Sequence, residues 1–436
     1  MRILKLAWRN VWRNARRSSV TIAAMTIALV IELLYSGLIT GMMIGMEDNA
    51  ISLDTGDIQI TTPDYLTRPS LYEVVDDQPD KVAALRADGY RVTRRLYSGG
   101  LAASGDSSAG VAFVGLDPTG DAKVLDLHRY VGQGEWLDAS DPLGVVIGRG
   151  LARTLGVDLG SEIVVLSQGT DGSMANELFQ VRGIMMTVAA SIDRRTILMT
   201  EQTFRDLLVL PEGAHKLIVR RPASSELVEA GDALRATYGL PPAAEQSAVE
   251  LEAKVHALTK PDAEPLEVPT YAVAVQTWKE LNPFLAQYLD SVQQIIVIMY
   301  LIIYLAVAIL ILNAMLMAVF ERIREFGVLK AIGYGPVTVA AIMIAEGFLQ
   351  AAVACVIGAV IAAPAMWYLS TYGINVGALG GMEMSGLTMP AIWKSHYSLE
   401  TSGVPVALLF FIVFGAVFYP AVKAALISPV EAMRHQ

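Results

Sequence analysis

Long apolar runs, separated by polar stretches, dominate the pattern of this 436-residue chain. The first run, Val20–Met46, is broken only by Glu32, and at ~1.5 Å per helical residue it exceeds the ~30 Å hydrocarbon core of a bilayer. Further runs of spanning length lie at Ile295–Val319, Val337–Trp367 and Val404–Val422. Pro364 in the third of the four runs favours a kink or an interfacial extension. The pattern predicts four transmembrane helices.

The long segment between the first two runs alternates apolar and polar residues over short stretches, which is typical of strands. Gly144–Gln168 predicts a strand, a short helix, a glycine turn and a second strand. After Ser224 the pattern becomes helical and polar, with proline-rich breaks at 241–242 and 260–269. We therefore predict a mixed α/β domain, composed of two subdomains. The other predicted strands are Gly56–Thr62, Arg91–Leu96, Ala109–Val114, Phe179–Met185, Thr196–Thr200 and Lys216–Arg220.

Composition and charge fix the class and the orientation. Hydrophobic residues make up 53% of the chain and charged residues 17%, against ~25% charged in a typical soluble chain, which indicates an integral membrane protein. Near the ends of the runs, lysine and arginine cluster before the first run, between the second and third, and after the fourth, whereas the loop 371–402 has only Lys394. By the positive-inside rule both termini are cytoplasmic. Residues 47–290 would then lie outside, with 21 lysine and arginine against 36 aspartate and glutamate residues, a net −15, which disfavours nucleic-acid binding.

The predicted fold class is an α-helical membrane protein with four transmembrane helices plus a large mixed α/β extracytoplasmic domain. Its predicted parts are a cytoplasmic amphipathic helix 1–18, transmembrane helix 19–46, extracytoplasmic domain 47–290, transmembrane helix 291–319, cytoplasmic coupling segment 320–336, transmembrane helix 337–369, extracytoplasmic loop 370–402, transmembrane helix 403–422 and cytoplasmic tail 423–436.

The first residues carry lysine and arginine at spacings of three and four, next to Leu4, Trp8 and Trp12. This spacing fits an amphipathic helix on the anionic cytoplasmic leaflet, with its indole rings at headgroup level. The alternative is a solvated basic tail that merely obeys the positive-inside rule.

Enzymatic chemistry has no support in the sequence. There is no HExxH zinc motif, no phosphate-binding loop and no cysteine/histidine cluster. Cys355 is a single cysteine, and His128, His215 and His256 lack ligand spacing, so we interpret the histidines as surface or hydrogen-bonded residues. We predict no catalytic, cofactor-binding or metal-binding residue in this chain.

Several small or polar residues lie inside the predicted spans. Carboxylates at a helix centre cost about 2.5–3.5 kcal/mol on insertion scales, and a polar amide or a GxxxG face can join helices. These residues predict an intramembrane groove or a dimer interface; ordinary packing within the four helices, with Glu32 near the bilayer edge, is the alternative. The residues are Glu32, Gly37, Gly41, Gly45, Asn313 and Glu346.

The segment VFERIREFGVLKAIGY (Val319–Tyr334) resembles the coupling segment of the MacB/FtsX-type ABC transporter permeases. In that family an asparagine-bearing helix leads into an E-R-x-x-E-x-G-x-x-x-A-x-G run, matched here by Asn313, Glu321, Arg322, Glu325, Gly327, Ala331 and Gly333. Glu346–Gly347, the closing stretch Tyr419–Arg434 and the opening stretch Leu6–Ser18 also match. The resemblance covers the whole chain in order.

The resemblance implies a transport subunit of the bacterial inner membrane, paired with a second permease and with a separate ABC ATPase dimer that holds ATP and magnesium. Glu321, Arg322, Glu325 and Phe326 would insert into the ATPase, with Lys330 at its rim, and Arg324 and Gly327 belong to the same segment. ATP-driven closure would move the helices and transmit force to the external domain. Charge reversal at Arg322 and Arg324 should then abolish ATPase binding.

Among family members the chain is most similar to the lipoprotein-releasing LolC/LolE type. It departs from that type at Ser167–Leu178, a short polar loop where LolC-type permeases carry a protruding hook, so recruitment of a periplasmic carrier is in question. Three functions remain open: extraction of lipoproteins or lipids from the outer leaflet, MacB-like export of peptides or amphiphiles with an adaptor protein, and FtsX-like activation of an external cell-wall hydrolase.

Overall fold

Four helices of the structure are long and apolar enough to cross a membrane. The structure, a computed structural model, describes residues 2–65, 67–76, 79–186, 190–210, 212–259, 269, 271–376, 383–384, 387–388 and 392–427. The predicted proline-rich break at 260–269, apart from residue 269, and the end of the closing motif, 428–434, lie outside this range. The four long helices are Ala15–Ala50, Pro283–Glu321, Pro336–Thr371 and Leu399–Leu426, and they are called the first to fourth membrane helices below.

Each membrane helix extends several residues beyond its apolar run, because helical hydrogen bonding continues into polar flanks once the apolar part is fixed. The helices are therefore longer than the predicted spans 19–46, 291–319, 337–369 and 403–422. A capping box between Ser398 and Thr401 explains why the fourth helix begins at Leu399. The third helix passes through Pro364 as one continuous element.

The chain divides into two compact units, which we call the membrane unit and the sheet unit. The membrane unit comprises Met1–Gly45, Tyr288–Gly380 and Pro390–Gln436, and the sheet unit comprises Met46–Gln287 and Gly381–Met389. The membrane unit also contains the N-terminal helix Arg2–Arg13 and the coupling helix Ile323–Ala331. Its apolar core takes residues from all four membrane helices.

The sheet unit is built on one ten-stranded mixed sheet. In chain order its strands are β1 (Ile58–Thr61), β2 (Arg91–Ser104), β3 (Ser107–Leu116), β4 (Val131–Gly134), β5 (Gly144–Ile147), β6 (Glu162–Gln168), β7 (Met174–Met185), β8 (Thr196–Thr200), β9 (Lys216–Arg220) and β10 (Ala274–Thr277). They are ordered β10-β1-β9-β2-β3-β8-β5-β7-β4, and β6 pairs with β2 and β7. The region is thus one compact unit, not the two predicted subdomains, because long strand β2 joins β9, β3 and β6.

The strand predictions are confirmed in position, and β8 and β9 also in their exact bounds. The Gly144–Gln168 prediction is confirmed as β5, the helix Arg149–Leu155 and β6, with Gly156 in the left-handed region at the helix end. Strands β4 and β10, each only four residues long, were not predicted from the sequence.

Short helices connect the strands of the sheet unit. They are Pro79–Ala87, Pro118–Asp121, Arg149–Leu155, Ala190–Arg195, Glu201–Leu208, Leu227–Thr237, Ala243–Thr259 and Trp278–Leu281, with a 3-10 turn at Leu127–Tyr130 and a π-helical turn at Ile51–Thr55. Two-residue strands pair Ile374–Asn375 with Ile392–Trp393, and Glu383–Met384 with Leu387–Thr388.

The predicted polar loop 167–178 is mostly a β-hairpin. Strand β6 continues to Gln168 and β7 begins at Met174, with Ser167 opposite Ala175. Only Gly169–Ser173 forms the turn, closed by a hydrogen bond from the Gly169 amide to the Ser173 carbonyl. This position therefore holds a tight hairpin and no long protruding loop.

Candidate functional site

The coupling segment, residues 320–336, forms a helix between the second and third membrane helices. Arg322 leaves helical geometry, which separates the coupling helix Ile323–Ala331 from the second membrane helix. Gly333, with φ of +103°, then turns the chain, a conformation that glycine adopts readily. The segment thus presents one short helix and one tight turn.

A buried ion pair joins the coupling segment to the third membrane helix. Arg322 Nη1 donates to Glu346 Oε2 at 3.1 Å, and the two side chains are 7% and 0% exposed. The Arg322 guanidinium also lies 5.3 Å from the centre of the Phe326 ring. The arginine therefore compensates the charge of Glu346, whose burial alone would be costly.

Glu325 connects the same arginine to the N-terminal helix. It accepts hydrogen bonds from Arg322 Nε at 2.9 Å and from Arg13 Nη2 at 2.6 and 2.7 Å. Partial burial acts to raise the pKa of Glu325, but the hydrogen bonds and charges of both arginines outweigh it and hold that pKa below its usual value. Glu325 is therefore ionised at neutral pH, as the charge pairing requires.

Glu321 and Lys330 also have partners within the chain. Arg17 Nη1 donates to Glu321 Oε2 at 2.8 Å, and Asn14 donates to the same oxygen at 3.4 Å. The Lys330 ammonium donates to the carbonyl oxygens of Ala425 and Ile427 at the end of the fourth helix. A cation at a helix C-terminus satisfies carbonyl groups that lack helical partners.

Two of the residues expected to insert into the ATPase, Arg322 and Phe326, are buried within the membrane unit, so neither side chain can insert into another protein in this conformation. Gly327, in the same segment, is also buried. Glu321, Arg324 and Glu325 are exposed, together with apolar residues that were not selected from the sequence. These apolar residues are Phe320, Val328, Ile332, Tyr334 and, just beyond the segment, Val337. The sequence did contain a signal for this exposed surface: these apolar residues do not fall on one buried stripe of the helix.

The predicted glycine face does not line an open groove. A Cβ atom on Gly37 would collide with the Tyr397 ring, and one on Gly41 with the Lys394 carbonyl oxygen. The His396 amide donates to the Gly37 carbonyl at 2.9 Å. The segment before the fourth helix thus occupies this face, as in the packing alternative, while Gly45 is half-buried.

Glu32 and Asn313 lie in opposite environments. Glu32 is fully buried in the membrane unit, beside Tyr300 and Tyr304, and neither carboxylate oxygen has a hydrogen-bond partner among the described residues. Glu32 is thus packed among the membrane helices. Asn313 is exposed on the outer face of the second helix. The proposed set of groove residues is therefore not brought together at one place.

Two buried arginines hold the segments of the sheet unit that adjoin the membrane helices. Arg95 pairs with Asp121 through two 2.9 Å hydrogen bonds and donates to Asp54 at 3.0 Å, in the turn after the first membrane helix. Arg235 makes two 2.9 Å hydrogen bonds to Glu280, just before the second membrane helix. Neither arginine was selected from the sequence, since arginines in a polar segment look like surface residues.

The segments that contain Asp54 and Glu280 adjoin neighbouring strands of the sheet. Strand β1 follows the Asp54 turn, strand β10 precedes Glu280, and the two strands pair antiparallel with Ile58 opposite Thr277. Among the described residues, no group of three side chains could hold a metal ion.

Comparisons with known proteins agree with this architecture. The profile of the MacB-like periplasmic core domain matches residues 18–237, and the profile of the FtsX-like permease C-terminal region matches residues 297–429. The lipoprotein-releasing system transmembrane protein LolC of Neisseria meningitidis serogroup B is 23% identical over 354 residues, covering 77% of this chain and 76% of LolC.

Two solved structures are similar to about half of the chain. The periplasmic region of MacB from Actinobacillus actinomycetemcomitans is 13% identical with a TM-score of 0.33, covering 52% of this chain and 92% of that structure. The extracellular domain of the ABC-type transporter YknZ from Gram-positive bacteria is 13% identical with a TM-score of 0.30, covering 50% and 99%.

The two profiles match in the order in which the structure arranges its parts. The first covers the first membrane helix and most of the sheet, and the second covers the remaining membrane helices with the coupling segment. This multi-pass membrane protein therefore belongs to the MacB/FtsX-type ABC transporter permeases.

Proposed function

We propose that this chain is the permease subunit of an ABC transporter that works by mechanical transmission, with ATP and magnesium bound by a separate ATPase dimer. The coupling segment and both termini face the cytoplasm of a bacterium, and the sheet unit lies outside the inner membrane. The distribution of lysine and arginine around the four membrane helices supports this orientation. The exposed apolar surface of the coupling segment is the observation that carries the proposal.

The docking surface for the ATPase consists of Arg324, Val328, Ile332, Tyr334 and Val337. Ile332 is 71% and Val337 80% exposed, although both are apolar residues that core packing would be expected to bury. Exposed apolar side chains with polar residues around them are typical of protein contact sites. Glu321, Glu325 and Lys330 support this surface from within the chain through their ion pairs and carbonyl contacts.

Ile332→Asp in the full transporter tests this surface. A buried interface residue replaced by a charge should reduce co-purification of the ATPase at least tenfold, since hot-spot losses reach 2 kcal/mol or more. Leu399→Asp is the matched control, because Leu399 is a 94% exposed apolar residue at the start of the fourth helix. Equal recovery of the ATPase with both variants would contradict the proposed docking surface.

Motion of the coupling segment has a physical route to the membrane helices. The ion pair of Arg322 with Glu346 ties this segment to the third helix, and Glu325 ties it to Arg13. In the sheet unit, Arg95 and Arg235 hold the turns that adjoin the first and second helices, so these turns should move with the sheet as rigid parts.

A second permease pairs with this one through the outer face of the second helix. Exposed apolar residues recur every four positions along that face, with Asn313 between Ile309 and Met317. A polar amide facing lipid lacks a partner, whereas two asparagines across a two-fold axis could donate to each other. The same face also suits a related partner subunit with a polar side chain at this position.

The favoured substrates are lipoproteins or lipids taken from the outer leaflet. The likeness to LolC, named as part of a lipoprotein-releasing system, supports this choice over export of a peptide or amphiphile. The tight hairpin at Gly169–Ser173 offers no hook, so a periplasmic carrier would have to bind elsewhere. The test is purification from the native membrane in mild detergent and identification of bound molecules by mass spectrometry. Triacylated peptides would support lipoprotein release; an adaptor protein without lipopeptides would support export.

A further inference from the structure

The N-terminal helix Arg2–Arg13 has an apolar face that the membrane unit covers and a second face that nothing covers among the described residues. Ala7 and Val11 are fully buried, and the helix packs against the third membrane helix. Trp8 and Trp12, by contrast, are 46% and 52% exposed, with their rings in edge contact at 5.8 Å. The two neighbouring indoles thus form an exposed apolar surface on the outer face of the helix and take no part in packing of the core.

The basic residues of this region divide into two groups. Arg13 and Arg17 form ion pairs with Glu325 and Glu321. Lys5, Arg9 and Arg16 are exposed, and within the described part of the chain their side chains have no hydrogen bond or ion pair. These three free cations are therefore available to bind an anionic partner from outside the chain.

Two of the free cations, Lys5 and Arg9, and the indoles occupy one side of the helix, and Arg16 lies at the start of the first membrane helix. At ~100° per residue, Lys5, Arg9 and Trp12 fall within about 60° of one another, with Trp8 beside them and Ala7 and Val11 on the other side. One residue, Asn14, separates this helix from the first membrane helix. The cationic face is thus anchored within reach of a bilayer surface.

We infer that this face, together with Arg16 at the start of the first membrane helix, binds anionic phospholipid headgroups. Lys5, Arg9 and Arg16 would contact phosphates, with Trp8 and Trp12 at headgroup level. Indoles favour the headgroup region, and cations near an anionic leaflet each strengthen binding about fivefold. An acidic protein surface would suit the cations, but an exposed indole pair next to a membrane helix is better matched by lipid.

The same helix transmits this contact to the coupling segment. Arg13 lies on it and holds Glu325 of the coupling helix through two hydrogen bonds of 2.6 and 2.7 Å. Lipid binding that fixes the helix should therefore restrain the coupling helix Ile323–Ala331.

The test uses the full chain in nanodiscs of phosphatidylcholine alone or with 30% phosphatidylglycerol. We expect brominated phosphatidylglycerol to quench the fluorescence contributed by Trp8 and Trp12, obtained by subtracting a W8F/W12F variant. We also expect amide hydrogen exchange of residues 323–331 to slow at least threefold when phosphatidylglycerol is present. In K5Q/R9Q/R16Q both effects should be lost.

The control variant R68Q/R153Q/R194Q removes the same charge from exposed sites of the sheet unit and should keep both effects. Equal quenching by brominated phosphatidylcholine and phosphatidylglycerol would overturn the role of headgroup charge. Absence of quenching in both lipids would overturn the lipid contact itself, leaving an acidic protein as the partner. Quenching without slower exchange would overturn the transmission to the coupling helix.

Discussion

Arg322 and Glu346 form a buried ion pair, 3.1 Å apart, that links the coupling segment to the third membrane helix. Removing one member should be more damaging than removing both, because a lone buried charge has no compensation. We expect Arg322→Met to lower the free energy of unfolding by about 3–5 kcal/mol, and R322M/E346M to recover most of that loss. Unfolding in detergent, followed by loss of helical circular dichroism, measures the difference.

Arg153→Met is the control for this cycle, since Arg153 is exposed and its change should stay within about 0.5 kcal/mol. Strictly additive losses in the double variant would show that the two residues do not interact.

The glycines of the first membrane helix give a second prediction, because the segment before the fourth helix contacts them closely. Gly41→Ala places a methyl group against the Lys394 carbonyl, which cannot rotate away, and should cost about 1–3 kcal/mol. Gly37→Ala meets the Tyr397 ring, so Tyr397→Ala should partly rescue it. Gly415→Ala in the fourth helix meets no atom within 4 Å and is the neutral control. Thermal unfolding of the four proteins would decide, and a harmless Gly41→Ala would argue against this packing.

Asn313 leads to a prediction about subunit pairing. In a Cys355→Ala background, Asn313→Cys should form disulfide-linked dimers on mild oxidation of native membranes, because two-fold pairing brings the two positions together. Phe411→Cys, at a 71% exposed position on the fourth helix, should remain monomeric. Non-reducing electrophoresis provides the measurement. Similar crosslinking at both positions would indicate random collision instead of a specific interface.

His215 predicts a pH dependence of the sheet unit. Its ring is buried, accepts a hydrogen bond from the Tyr97 amide at 3.0 Å and contacts the Leu71 carbonyl at 3.1 Å. Burial lowers the pKa of His215 below its ordinary value of 6.5, and the nearby Arg205 charge acts in the same direction, while the Leu71 hydrogen bond opposes it.

In the window between the lowered folded pKa and 6.5, the unfolded chain binds more protons at this residue than the folded chain does. The stability of the sheet unit should therefore be complete above about pH 6.5 and should fall as the pH drops through the folded pKa. Hydrogen exchange of β2 and β9 amides between pH 7.5 and 5 measures this. His215→Asn keeps an acceptor for the Tyr97 amide and should reduce the slope of stability against pH. If that slope is unchanged, other groups cause the pH dependence.

Much of the fold could be predicted because its signals are local. Thr196–Thr200 and Lys216–Arg220 were predicted with exact bounds, since each is a short apolar stretch between breaks. Val131–Gly134 carries no such pattern, because its pairing with β7 is backbone-to-backbone and three of its four residues are exposed. The joining of all the strands of the large domain into one sheet depends on pairing between residues far apart in the sequence. The alternation of apolar and polar residues within each strand cannot predict that pairing.

The sequence predicted where the candidate site lies, but not which contacts its residues make. The sequence marked Glu321, Arg322 and Glu325 as unusual residues between two spans, but it gave no reason to expect partners in Arg13 and Arg17 of the N-terminal region. It also presented Phe326 as a contact residue, although its ring packs inside the unit.

The sequence by itself determined the number of membrane helices, the α/β character of the large domain and the position of the coupling segment. These properties follow from the length and period of apolar runs, which each stretch of chain carries alone. The tertiary structure decided which charges are paired and which apolar residues stay exposed. Arg13 and Glu325 are 312 residues apart in the sequence, and only the packing of helices from both ends of the chain brings them into contact.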